Sequence, residues 1–140
     1  MSQTLDLRRA SDAWSKVHRI ETEQTDEEWK DKYASYVESL PATILTCGLG
    51  QAAATLLSAA AKTSDAIGDP HKVLYEDLEN WLCRPEPEAP YSGKDNLIQA
   101  IASGDRQTYM KAQAEAMAWL VWLKKLAVAY LKKEKVTGNE

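Results

Sequence analysis

Residues 43–57, TILTCGLGQAAATLL, decide between two folds. An apolar, β-branched opening followed by Gly48-x-Gly50-x-x-Ala53 carries the letters of a dinucleotide-binding turn. Such a turn needs a strand before it, a helix after it, and a second strand that ends in an acid about 20 residues later. The same letters also suit one alanine-rich helix with two glycines near its start, where a neighbouring helix can approach closely.

The rest of the chain does not supply a parallel sheet. Asp65 and Asp69 lie at the distance expected for a ribose-binding acid, but the surrounding segment KTSDAIGDP does not read as a strand. No stretch alternates apolar and polar residues over the length of a convincing strand, and leucine and alanine dominate over β-branched residues. We therefore interpret Gly48 and Gly50 as packing residues at a helix–helix crossing.

Hydrophobic periodicity predicts an all-α fold: a compact single-domain bundle of about six helices with a long C-terminal helix. The expected helices cover residues 5–21, 25–40, 41–62, 70–83, 94–102 and 105–135. Pro41 either kinks the second helix or lies in the first turn of the third. Thr25, Asp69 and Ser92 are the expected N-caps of the second, fourth and fifth helices.

One domain is expected to span residues 1–140, with an ordered core over about 5–135 and a frayed tail at 136–140. Residues 84–93, RPEPEAPYSG, read as a proline-rich linker with an extended path. The periodicity places Trp14 and Leu45 on buried stripes, and it places Arg8, Arg19 and, at the edge, Lys16 on the opposite side of the first helix.

Composition limits the possible functions. The net charge of −4 argues weakly against nucleic-acid binding, but the charge is unevenly distributed: residues 21–31 hold six acids and one lysine, whereas residues 124–135 hold five lysines and one glutamate. Cys47 and Cys83 are isolated, and no signal peptide or membrane span is expected, which favours a cytoplasmic protein without membrane contact.

The chain contains no residue pattern typical of catalysis. His18 and His71 do not have metal-ligand spacing, and no nucleophile–base set or Gly-Lys-Ser/Thr sequence is present. The carboxylates of residues 21–31 read as a solvated helix face rather than an acid–base pair. We therefore expect a protein that is not an enzyme, with no catalytic residue, metal site or cofactor.

The last helix carries the clearest candidate for binding. Its cations are Arg106, Lys111, Lys124, Lys125, Lys132, Lys133 and Lys135, and the acids along it are Glu115 and Glu134. A solvated face normally mixes signs, whereas one-sided charge at helical spacing can follow a phosphate backbone. Both interpretations stay open on this evidence. Trp119, Trp122 and Tyr130 could stack on bases, but their spacing favours the core.

Three segments carry a family resemblance: YASYVESLPATILTCGLGQAAATLLSAA, VLYEDLENWLC and LIQAIASGDRQTYMKAQAEAMAWLVWLKKLAVAYL. Together they resemble the small helical subunit of the type III-B CRISPR effector, the Cmr complex. The similarity extends from about Leu7 to Leu131, and it depends on the ordered set, above all LPATIL…GLG followed by WLKKLA. It implies an all-helical subunit without known catalytic residues.

The resemblance also implies partners. Such subunits stack in a few copies into a minor filament beside the backbone subunits that hold the guide RNA, and they help accommodate the paired target RNA in antiviral defence. By position and charge, the RNA-contacting residues would be Arg8, Arg9, Lys16, Arg106, Lys111, Lys124, Lys125 and Lys132. The acidic second helix would face a protein neighbour such as the basic side of the next copy. The alternative is a pure protein–protein adaptor of a multi-subunit complex, without direct RNA contact.

Overall fold

The structure is a computed structural model that describes residues 4–60 and 68–132. These residues form six α-helices and no strand: α1 (Leu5–Glu23), α2 (Glu27–Cys47), α3 (Leu49–Ala60), α4 (Pro70–Leu82), α5 (Leu97–Ser103) and α6 (Arg106–Leu131). The predicted all-α class and long C-terminal helix are confirmed. The predicted tail, most of the loop before α4, and Lys133 and Lys135 lie outside the described residues.

Helix α6 organises the packing. Its 26 residues extend about 39 Å at 1.5 Å per residue, and both α1 and α2 pack along it while α3 packs on α4. Fully buried side chains from several helices, including Val17, Ile44, Leu78 and Trp119, belong to one core cluster. The apolar stripe of each helix is therefore buried against a neighbouring helix rather than against a sheet.

The break between α2 and α3 is at Gly48, so of the two positions considered for Pro41 the one inside the second helix is observed, and the predicted start of the third helix at Pro41 is wrong. Pro41 lies inside α2, which continues to Cys47. The proline removes one backbone hydrogen bond, but Leu40 and Ile44 on either side of it are buried in the core and hold the helix together. Gly48 ends α2 with φ at 88° and ψ at 159°, a conformation that is essentially restricted to glycine.

The first amides of α3 are satisfied by α6. The Leu49 amide donates to Gln113 Oε1 at 3.0 Å, and the Gly50 amide donates to the Tyr109 hydroxyl at 2.8 Å. These contacts require the two helices to come close, which the missing Cβ of glycine permits. The interpretation of Gly48 and Gly50 as packing residues is confirmed, and no strand precedes them within the described residues.

We expect Gly48→Ala to lower the free energy of unfolding by about 2–3 kcal/mol. A Cβ on Gly48 would lie 2.9 Å from the Tyr109 hydroxyl oxygen, in addition to the strain of positive φ. Gly93 is the matched control, because its φ is 76° but a Cβ there would have no atom within 4 Å, and Gly93→Ala should cost about 1 kcal/mol. Equal losses in the free energy of unfolding for Gly48→Ala and Gly93→Ala, measured by urea denaturation, would show that the contact with Tyr109 does not affect stability.

Two predicted N-caps are wrong and one is confirmed. Asp26, not Thr25, caps α2, and Asn96, not Ser92, caps α5, which therefore begins at Leu97. Asp69 caps α4 as predicted. Neighbouring residues of capping type compete locally, and propensity alone does not choose between them.

The proline-rich segment at residues 84–93 is not an extended linker. It folds into consecutive turns, in which the Ala89 amide donates to the Glu86 carbonyl at 3.0 Å and the Tyr91 amide donates to the Leu82 carbonyl at 3.0 Å. Ala89 and Tyr91 are buried. Proline supports turns as readily as extended chain, and here the buried side chains select the turns.

Several predicted exposures also differ. Trp14 is 42% exposed and Leu45 is 72% exposed, although both lie at the spacing of buried stripes. Trp119 is fully buried as predicted, whereas Tyr130, near the end of α6, is about half exposed and meets the edge of the Trp14 ring at 5.4 Å. Periodicity identifies an apolar stripe, but a stripe is buried only where another helix covers it.

Candidate nucleic-acid interface

The outer face of α6 presents four exposed cations: Arg106, Lys111, Lys124 and Lys125. None of them forms a salt bridge with another described residue. At about 100° per residue, Arg106 and Lys124 lie along one edge of the face, and Lys111 and Lys125 lie along the other. The four charges are therefore spread over about 28 Å of one helix surface.

Arg9 is engaged inside the protein. Its guanidinium donates from Nε and Nη2 to the two carboxylate oxygens of Glu115 at 2.8 and 2.9 Å, and Trp81 Nε1 donates to the same carboxylate at 3.0 Å. Hydrogen bonding to Glu115 raises the pKa of Arg9 above its ordinary value. This bidentate pair joins α1 to α6, so the Arg9 guanidinium serves helix packing.

Lys16 is buried, and its predicted place on the polar side of α1 is wrong. Its ammonium donates to both oxygens of Asp12 at 2.6 and 2.7 Å and to Asn80 Oδ1 at 2.8 Å. Asp12 also accepts a hydrogen bond from Trp119 Nε1 at 2.8 Å. The alkyl chain of Lys16 packs on apolar surface, and its ammonium group binds partners on α1 and on α4.

Arg8 and Lys132 lie at the surface and contact the chain's own acids. Arg8 Nη2 is 2.6 Å from Glu88 Oε2. Lys132 Nζ is 3.2 Å from Glu38 Oε1 and 3.8 Å from Asp31 Oδ1, which ties the end of α6 to the acidic helix α2. The eight predicted RNA-contacting residues thus divide into four with internal partners and the four exposed cations of α6; RNA contact itself stays a prediction for all eight.

A buried polar centre at Asp77 was not predicted from the sequence. Its carboxylate accepts from Arg19 Nη2 at 3.1 Å and from the Tyr33 hydroxyl at 2.6 Å. Burial raises the pKa of Asp77, and the charges of Arg19 and Lys16 offset part of that shift. One signal was available: Asp77 lies three residues after Leu74 and four before Trp81, on the apolar stripe of α4.

The Asp77 pKa gives stability a pH dependence with a definite sign. Because the pKa of Asp77 is raised in the folded protein, the native state keeps the carboxyl proton at pH values where the unfolded chain has lost it. The contribution of Asp77 to the free energy of unfolding therefore decreases as pH rises. We expect the free energy of unfolding of the wild type, minus that of the Asp77→Asn variant, to increase as pH falls from about 7 to about 4. A flat or reversed difference in denaturation midpoints would contradict this prediction.

A cleft with a volume of about 630 Å³ lies between α1 and α4. Its lining includes Asp12, Lys16, Arg19 and Asp77, whose charges already pair with one another. Within the described part of the chain, no group of three or more His, Cys, Asp or Glu side chains is arranged to hold a metal ion.

The histidines and cysteines are not arranged together. The His71 ring lies 2.8 Å from the Asp69 carboxylate, and exposed His18 stacks on Trp14. Burial, reinforced by nearby acids, raises the pKa of the Cys83 thiol to about 11, so this sulfur stays protonated at neutral pH. Cys47 is exposed at the end of α2. This placement supplies no activated nucleophile.

A comparison with protein families identifies the chain. The family model described as CRISPR-associated protein (Cas_Cmr5) matches residues 5–130. The chain belongs to this family. The match begins with α1 and ends in the last turn of α6, so it includes all six helices, and the resemblance to the small helical subunit of the type III-B CRISPR effector is confirmed.

Membership of the Cmr5 family makes the chain a CRISPR-associated subunit of the multi-subunit Cmr complex. Across residues 4–60 and 68–132, no helix is both long enough and apolar enough to cross a membrane.

Proposed function

We propose that this Cmr5-family chain is a non-catalytic architectural subunit of a type III-B CRISPR ribonucleoprotein. Copies stack in a minor filament beside the backbone that holds the guide RNA, and they help accommodate target RNA during antiviral defence in the cytoplasm. The single observation that carries the RNA contact is the row of four exposed cations on α6, which no described acid neutralises by a salt bridge.

The proposed mechanism is phosphate neutralisation and shape recognition without base reading. The deep, narrow groove of an A-form duplex is not readable by side chains, so contacts to phosphates and sugars suit a subunit that must accept any guide. Arg106, Lys111, Lys124 and Lys125 reach outward on long, flexible stems, and each can contact one phosphate. The exposed acids at the start of α2, Glu27 and Glu28, would face a neighbouring protein.

The arrangement of the buried acids supports a non-catalytic role. Three carboxylates are buried among the described residues: Asp77 and Glu115 are each held by two hydrogen-bonding side chains, and Asp69 accepts from the His71 amide as the N-cap of α4. A general acid or base must reach the proton of a substrate. Purified protein that cuts RNA with a metal, and loses this activity on a carboxylate substitution, would overturn this part of the proposal.

The RNA contact predicts a specific salt dependence. If four phosphates are engaged, the logarithm of the affinity for target RNA should fall with the logarithm of salt concentration with a slope contribution of about −3.6 from this subunit. Replacing Arg106, Lys111, Lys124 and Lys125 with glutamine should remove that contribution, measured on the assembled complex over a salt series. Lys32→Gln, an exposed lysine on α2, is the matched control and should leave the slope unchanged.

Removing charge separates RNA contact from the adaptor alternative. Changing Lys124 and Lys125 to glutamine should leave the complex assembled but expose target RNA to nuclease, because the neutral side chains no longer attract phosphates and do not repel an acidic protein neighbour. Loss of assembly with this double variant would instead favour a protein–protein adaptor.

A further inference from the structure

The outer face of α6 has an apolar centre that phosphate binding does not use. Met110, Val121 and Val128 are 56%, 53% and 38% exposed. At about 100° per residue the three side chains fall within about 20° of one another around the helix. We call these three residues the α6 stripe. Ala114 and Ala118, which are small enough to let another backbone approach, lie beside it.

A shallow groove of about 250 Å³ adjoins the α6 stripe. It is lined by Asp6, Ala118, Val121, Trp122 and Lys125. Trp122 Nε1 donates to Asp6 Oδ1 at 3.1 Å, which fixes the indole in place. A groove with a fixed aromatic wall and a lysine at its edge can admit one apolar side chain from a partner, and such anchors supply much of the energy of an interface.

The charges around the α6 stripe define the partner. Arg106 and Lys124 border it on one side, and Lys111 and Lys125 border it on the other, as described above. Of the acids nearby, Glu115 is turned inward to Arg9 and Trp81, and Asp6, which lines the groove, pairs with Arg9 and accepts from Trp122, so the border of the stripe has a net positive charge. We propose that the α6 stripe docks an amphipathic helix of another protein chain, one whose apolar residues are bordered by carboxylates.

A second copy of this chain does not offer that helix. Outside α6, the exposed large apolar side chains of the described residues are Leu7, Trp14 and Leu45. Leu45 is alone on the acidic helix α2, and on α1 the ring of Trp14 already packs on His18 and against Tyr130, which leaves Leu7 without a second free apolar anchor. No described helix therefore combines two exposed apolar anchors with an acidic border, which points to a different chain.

This inference goes beyond the proposed function, because RNA phosphates need the four cations but gain nothing from methionine and valine. Burial of the α6 stripe against apolar residues is favourable, whereas contact with sugars and phosphates leaves it hydrated. Substitutions in the stripe therefore test docking alone, whereas substitutions of the cations test the RNA contact and the acidic border together.

The test adds this subunit back to a Cmr complex assembled without it. We expect the double variant Met110→Gln/Val121→Ser to be incorporated with about tenfold or greater loss of affinity, since two apolar anchors are removed. Its melting temperature should match that of the wild type because both side chains are exposed. Leu45→Gln, which removes the most exposed of these apolar side chains at a position outside the α6 stripe, should be incorporated normally.

A second pair of variants tests the acidic border and does not depend on the first. Val121→Glu should weaken incorporation more than Val121→Lys, because an added carboxylate would repel the acids of the partner. Wild-type incorporation of the double variant, or equal effects of Glu and Lys at position 121, would overturn the proposal.

Two further results would overturn the docking proposal. The first is normal incorporation of the Met110→Gln/Val121→Ser variant together with loss of target RNA, which would assign the α6 stripe to RNA. The second is a dimer of the isolated chain, observed by sedimentation, that depends on the α6 stripe. An unchanged salt slope after removal of the four cations would refute the proposed RNA contact and leave the docking proposal standing.

Discussion

Replacing Trp119 with alanine is expected to lower the free energy of unfolding by about 3–5 kcal/mol. The side chain is fully buried in the core cluster, so its removal leaves a cavity that the surrounding helices can close only in part. The substitution also leaves Asp12 without the indole donor at 2.8 Å. Urea denaturation followed by circular dichroism measures the loss.

Trp14 is the matched control, because it is the same residue type on a surface. Trp14→Ala removes a ring that is 42% exposed and that packs mainly on His18 and the edge of Tyr130. Its loss should cost about 1 kcal/mol or a little more. Equal losses in the free energy of unfolding for Trp119→Ala and Trp14→Ala would contradict the difference in burial between the two tryptophans.

Replacing Glu115 with alanine is expected to cost about 3–5 kcal/mol, because it removes one partner of a buried ion pair. The guanidinium of Arg9 would lose two charge-assisted hydrogen bonds, and Trp81 Nε1 would lose its acceptor. Glu115→Gln should cost less, since the amide oxygen can still accept from one donor. The free energy of unfolding at neutral pH measures both variants.

Glu86 provides the surface comparison for Glu115. Its carboxylate accepts from Arg84 Nε at 2.7 Å, but the Glu86 side chain is largely exposed, so Glu86→Ala should cost at most about 1 kcal/mol. A loss at Glu86 as large as that at Glu115 would mean that burial does not set the strength of these pairs. Neither substitution touches the exposed cations of α6, so assembled complexes should keep their salt dependence.

The helical class and the positions of α1, α4, α5 and α6 could be predicted closely from the sequence, because apolar spacing near 3.6 residues and capping residues are local features. The break at Gly48 was harder to place. Pro41 is the stronger local signal for a helix end, yet α2 runs through it because buried residues on both sides hold it. Local patterns predict that helices form more reliably than where they end.

The candidate surface was predictable only in part. One-sided charge along α6 indicated Arg106, Lys111, Lys124 and Lys125, and all four are exposed. Position and charge also indicated Arg9, whose partner Glu115 is 106 residues away along the chain, and Lys16, which contacts Asn80, 64 residues away, in addition to Asp12 on its own helix. No local spacing rule connects residues at such separations, so their pairing could not be derived from periodicity.

The sequence by itself determined that this protein is built from amphipathic helices and that its last helix carries an excess of positive charge. Tertiary structure alone decided which tryptophan is covered, which cations pair with Glu38, Glu88 and Glu115, and which apolar side chains stay in water. The physical reason is that helix formation depends on neighbours a few residues apart, whereas burial and ion pairing depend on which helices meet.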